Sequence, residues 1–165
     1  MTTIDYRSLK PGHLIRRAQQ IAVAIFMEEC AGFGLTPVQY AALSAIDANP
    51  ELDATRLSYL VALDRSTVGS VLERLQAKGL VERVPSADDR RVKRLRIRPA
   101  GHRLLAQVDS AVERAQRRIV EPLAADERRT FLRLLAQLVE CNNEFSRAPA
   151  RHRGEVLPAE QGARS

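Results

Sequence analysis

Apolar residues recur every three or four positions from about residue 12 to residue 31, which is the period of a helix. Leu14, Ala18, Ile21 and Ile25 form one stripe, and Ile15, Ala22 and Phe26 form another. A helix apolar on two sides needs cover on two sides. After 32-GFG-34, the stretch 36-TPVQ-39 predicts a second helix, with Thr36 as N-cap, Pro37 in the first turn and Gln39 completing a capping box. Its apolar positions are Tyr40, Leu43 and Ile46, and 49-NP-50 ends it. Asp53 can cap a short third helix over 54–62. A turn around Leu63 and Asp64 then leads to a fourth helix over 65–78, which Gly79 stops. Val68, Val71, Leu72 and Leu75 share the inner face of that fourth helix. Ser66, Thr67, Gly69, Ser70 and Arg74 are left on the outer one.

The period then changes to two. In 92-VKRLRIR-98, Leu95 and Ile97 alternate with Arg94, Arg96 and Arg98, and 80-LVERV-84 can pair with this strand across 85-PSADDR-90. The expected hairpin has one apolar and one cationic face. Pro99 closes it and opens a fifth helix, which carries Leu104, Val108, Ala111, Ala115 and Ile119 on one stripe. Pro122 interrupts the pattern. A last helix from Asp126 to about Phe145 carries Phe131, Leu134, Leu135, Leu138 and Val139. Residues 149–165 show no periodicity and are expected to be a disordered tail. The chain contains no internal repeat.

This order of elements, mainly α with one small β-hairpin wing, is that of a winged helix-turn-helix. Its 165 residues suit one domain, placed at 1–148, with the winged helix-turn-helix at about 36–98. Charge sharpens the picture. The net charge is +6, and residues 83–98 hold seven bases against two acids, so nearly all the excess lies in the hairpin. A polyanion is the expected partner, and double-stranded DNA fits both the helix and the wing. A hydroxyl-bearing helix can enter the major groove, while an arginine at the tip of a wing can enter the narrower minor groove.

Other chemistries find little support. The apolar run 21-IAVAIFM-27 is far shorter than the roughly 18 residues that cross a membrane. The N-terminus lacks a signal-peptide core. Cys30 and Cys141 form no Cys-x-x-Cys motif and join no cluster with His13, His102 or His152, so no metal site, no cofactor and a reducing cytoplasm are expected. There is no nucleophile elbow, metal motif or phosphate-cradling glycine loop, and a catalytic site is not expected.

The run 67-TVGSVLERLQAKGLVERVPSADDRRVKRLRIRPAG-101 resembles the MarR family of bacterial transcriptional regulators. The hallmarks are a helix ending in Leu-x-x-x-Gly-Leu, a strand with Arg, Asp-Arg-Arg at the wing tip and a closing Leu-Thr-x-x-Gly, which here reads 97-IRPAG-101. The resemblance implies a homodimer, with dimerisation helices at about 12–32 and 99–147. It implies a wing-tip Arg91 oriented by Asp89, with Arg90 and Lys93 as neighbouring contacts. The recognition-helix contacts fall on Ser66, Thr67, Gly69, Ser70 and Arg74. Where the family usually caps its fifth helix with threonine this chain has Arg98, and Ala124 stands where a capping Ser or Thr is common.

The segments 11-PGHLIRRAQQIAVAIF-26 and 35-LTPVQYAAL-43 further resemble the branch of the family that controls breakdown of aromatic and heteroaromatic acids or their coenzyme A thioesters. That resemblance implies a repressor released by such an effector, held by His13, Arg16, Arg17 and Gln20 with Tyr40 as a wall. Guanidinium suits the task because it binds carboxylate through two parallel hydrogen bonds. For Arg16 and Arg17 a solvent-facing or interface pair is the competing reading. For Cys30 a structural thiol competes with a redox sensor, so a cysteine-based redox-sensing regulator of the same fold stands as the alternative.

Overall fold

The structure is a computed structural model that describes residues 10–50, 52–86 and 92–146. Helix α1 (Pro11–Glu29) leads through a 3-10 turn at Ala31–Phe33 to α2 (Pro37–Ala48), α3 (Ala54–Leu60) and α4 (Arg65–Ala77). Strands β1 (Val81–Pro85) and β2 (Lys93–Ile97) form an antiparallel hairpin with Val81 opposite Ile97 and Pro85 opposite Lys93. Helices α5 (Pro99–Val120) and α6 (Ala125–Cys141) follow, with a 3-10 turn at Asn143–Phe145. This is a winged helix-turn-helix, mainly α with one hairpin wing.

Capping explains most boundaries. The Thr36 hydroxyl accepts the Gln39 N–H, and Gln39 Oε1 accepts the Thr36 N–H, each at 3.3 Å. Asp53 Oδ1 accepts the Arg56 N–H at 2.8 Å and so starts α3. Gly79 takes a φ of 69° after α4, a left-handed conformation that costs glycine little.

Three features differ from the sequence expectation. Helix α3 stops at Leu60 rather than Ala62, because Ala62 turns left-handed at φ 50° and the Leu63 N–H returns to the Ser58 carbonyl at 3.1 Å. Alanine in that conformation costs about 1–2 kcal/mol. Helix α6 does not run to Phe145, because the Asn142 side chain donates to the Leu138 carbonyl at 2.8 Å and closes the helix in the turn before. The hairpin also gains a rung: the Leu95 N–H reaches the Leu52 carbonyl at 2.6 Å, and Asp53 bridges to Arg94. A single rung has no period, so the pattern of residues could not reveal it.

The core gathers Leu35, Leu43, Leu57, Val68, Leu72, Leu75 and Val108, all fully buried. Gly101 lets α5 approach the hairpin, since a Cβ there would lie 2.6 Å from both the Leu80 carbonyl oxygen and Ile97 Cγ1. Two regions stand outside this core. Every residue of 11–21 in α1 is exposed, and α6 buries none of its residues. Phe131, Leu132, Leu134, Leu135, Leu138 and Val139 are all 40–59% exposed.

Candidate nucleic-acid interface

Helix α4 faces two environments. Val68, Val71, Leu72 and Leu75 are buried as the spacing predicts, which turns Ser66, Ser70 and Arg74 fully outward and leaves Thr67 and Gly69 half-buried. The outer face begins with a cap, Asp64, where the apolar pattern alone indicates only a turn. Asp64 accepts the Thr67 N–H at 2.9 Å, the Thr67 hydroxyl at 2.7 Å and the Ser66 hydroxyl at 2.5 Å. These bonds, that from the Ser66 hydroxyl first, hold the Asp64 carboxyl well below the usual carboxylate range. An Asp followed three residues later by Thr at a helix start was the available signal.

The hairpin is less uniformly cationic than its alternation implies. Lys93, Arg96 and Arg98 are exposed, but Arg94 folds back, donating from Nε to the Ser86 hydroxyl at 3.3 Å and lying 3.9 Å from Asp53. Arg94 therefore anchors the wing to the start of α3. Arg98 stands 4.0 Å from Glu82 on the opposing strand. Asp89, Arg90 and Arg91, expected at the wing tip, lie outside the described residues.

The residues nominated for an effector do not meet within one protomer. Tyr40 packs on Phe26, ring centroids 5.9 Å apart, and lines a cavity of about 520 Å³ between α2 and α5 together with Ser44, Asp47, His102, Leu105 and Asp109. His13, Arg16, Arg17 and Gln20 stand exposed on the first half of α1 and do not line it. His102 has Nδ1 2.8 Å from Asp47 Oδ1 and so joins the start of α5 to the end of α2.

A second ion-pair cluster fastens α1 to α5. Glu29 receives Arg118 at 2.6 Å and Arg114 at 3.0 Å, and these two, Arg118 foremost, lower its pKa. Arg118 also reaches Glu28 at 3.3 Å. Because 85 to 90 positions separate the partners, spacing alone could not pair them. Cys30, the residue after Glu29, is 1% exposed; burial pushes its thiol pKa up, with the Glu29 charge adding to the effect. A thiol so held carries little thiolate. Cys141 is exposed at the end of α6. No group of three His, Cys, Asp or Glu side chains suited to a metal occurs among the described residues.

Comparison with known proteins agrees with this architecture. Residues 33–92 match the profile of the MarR family. A protein assigned to regulate transcription of the hcr operon in Thauera aromatica is 34% identical over 134 residues, 81% of each chain. The repressor CouR, solved on a 23-mer DNA duplex, is 29% identical with a TM-score of 0.77, over 84% of this chain and 99% of that one. BpsR of Bordetella bronchiseptica, whose DNA binding is regulated by 6-hydroxynicotinic acid, is also 29% identical at a TM-score of 0.77, over 81% and 95%. The class is thus the winged helix-turn-helix regulators of transcription. Within that class, the chain belongs to the MarR family.

Proposed function

We propose that the chain is a homodimeric, ligand-responsive repressor that binds a pseudo-palindromic DNA operator and is released by a small aromatic acid or its coenzyme A thioester. One observation carries this reading: a single protomer exposes an apolar helix surface on α1 and α6, and at a separate place a polar helix face beside a basic hairpin. The first surface asks for a second copy, and the second asks for a polyanion. The proposed domain is 1–148, the tail expected at 149–165 lies outside the described residues, and the proposed role is cytoplasmic and non-catalytic.

Ser66, Thr67, Gly69, Ser70 and Arg74 take the major groove. Lys93 and the wing tip, with Asp89 orienting Arg91 and Arg90 beside it, take the backbone and the flanking minor groove. Two protomers set their half-sites about one helical turn, or roughly 34 Å, apart. The DNA-bound form of CouR supports the operator reading, and the regulation of BpsR by 6-hydroxynicotinic acid supports the effector class. Tyr40 and its cavity are the effector site proposed here. His13, Arg16, Arg17 and Gln20 contribute only across the dimer, because within one protomer they stand apart from that cavity. An effector acts by preferring dimers whose recognition helices are wrongly spaced. The burial of Cys30, which pushes its thiol pKa up, favours this over a redox switch.

Retardation of DNA recovered from a random double-stranded pool tests the reading. Affinity should fall linearly in log–log form as salt rises, with a slope of about −0.9 per phosphate neutralised, and an aromatic acid should reverse binding. Binding that ignores both DNA sequence and salt would end it.

A further inference from the structure

Each of three hydroxyls on the outer face of α4 has its hydrogen turned toward the protein. The Ser66 and Thr67 hydroxyls donate to Asp64 at 2.5 and 2.7 Å, and the Ser70 hydroxyl donates to the Ser66 carbonyl at 3.2 Å. The direction of these bonds is forced, because ionised carboxylates and carbonyls only accept. What Ser66 and Thr67 offer outward is therefore lone pairs.

Phosphate oxygens also only accept, so they gain nothing from these two hydroxyls unless the bonds to Asp64 break. Base edges differ. In the major groove adenine N6 and cytosine N4 present donors, whereas thymine O4 and guanine O6 and N7 present acceptors. A cap alone does not require a charge, since Asn or Ser serves about as well as Asp. A carboxylate on a helix that meets DNA also opposes general attraction to phosphate. Its cost implies a second task.

We propose that Asp64 is a positioning residue for sequence readout: by holding the hydroxyl hydrogens of Ser66 and Thr67, it makes both side chains acceptors that select adenine or cytosine amines. The inference rests on the operator-binding reading above and adds to it the base chemistry that α4 reads.

The test selects DNA from a random double-stranded pool with the full chain, with Asp64→Asn, and with a Ser66→Ala/Thr67→Val double variant. Positions whose enrichment changes in the double variant mark the bases beneath these hydroxyls. Titration follows on selected duplexes in which an adenine at those positions is replaced by purine, or a cytosine by its analogue lacking the 4-amino group. The unaltered chain should lose about tenfold in affinity on each replacement. Asp64→Asn keeps Oδ1 as acceptor for the Thr67 N–H and the Ser66 hydroxyl, but the amide that replaces Oδ2 donates to the Thr67 hydroxyl and so releases that hydroxyl's hydrogen. At one of the marked positions, that beneath Thr67, it should lose less than about twofold on the same replacement and admit guanine or thymine, while the position beneath Ser66 keeps its preference and overall DNA affinity rises. Adding Asp64→Asn to the double variant should not change base preference further. An unchanged base preference in Asp64→Asn, or enrichment of guanine or thymine by the unaltered chain at the positions that the double variant marks, would overturn the proposal. A failure of the unaltered chain to enrich any sequence would overturn the operator reading as well, which separates the two failures.

Discussion

Helices α4 and α6 are both amphipathic, yet they resolve their apolar stripes differently. Over 13 residues α4 buries Val68, Val71, Leu72 and Leu75 against its own chain, whereas over 17 residues α6 buries none. Phe131, Leu134, Leu135 and Leu138 repeat at the same three- and four-residue steps but stay at least 40% exposed. Periodicity therefore says that a stripe must be covered and not which chain covers it. The first half of α1 sides with α6, while its second half is held in the protomer by Phe26 and by the Glu29 clamp to Arg114 and Arg118.

Replacing Leu135 and Leu138 together by Asp should raise the dimer dissociation constant by at least about a hundredfold, since each Leu withdrawn from an interface forfeits about 1.5–3 kcal/mol. Sedimentation velocity reads the change, and the monomer should keep its helix content. An unfolded monomer would mean that α6 stabilises the protomer itself. Leu72→Ala should instead cost about 2–5 kcal/mol of unfolding free energy with the dimer constant little changed in the folded protein. Denaturant titration alongside sedimentation separates these two effects.

Gly101→Ala should cost about 1–3 kcal/mol, because the new Cβ meets the Leu80 carbonyl and Ile97 at 2.6 Å and one of those neighbours is backbone. Thermal unfolding measures it, and an unchanged midpoint would show that α5 can lift from the hairpin freely. The smallest effect expected is a gain. Only half of a capping box starts α6: Glu127 accepts the Ala124 N–H at 2.8 Å, while alanine has no side-chain acceptor to return the bond. Ala124→Ser should add about 1 kcal/mol, read as a small rise in melting temperature.

Much of the fold was legible because it is written in local chemistry. The Thr36 and Asp53 caps, the Gly79 stop, the switch of period at the hairpin and the inner face of α4 each depend on residues a few positions apart. What was not legible is long-range. The rung at Leu52, the return of Arg94 to Asp53 and Ser86, the Glu29 clamp and the pairing of His102 with Asp47 join residues that no spacing rule connects. The site divides in the same way. The outer face of α4 followed from its period, while the separation of the Tyr40 cavity from His13, Arg16, Arg17 and Gln20 required the packing of α1 against α5. Arg94 is the instructive exception, since its alternation placed it correctly on a strand but a neighbouring carboxylate decided its direction.

The central claim is that one copy supplies the DNA-facing helix and wing while α1 and α6 require a second copy. Sedimentation equilibrium of the full chain, alone and with a duplex recovered by its own selection, tests both halves together. Two protomers should be present without DNA and two per duplex with it. A stable monomer that binds the duplex one to one, with α6 still exposed to solvent, would contradict the account.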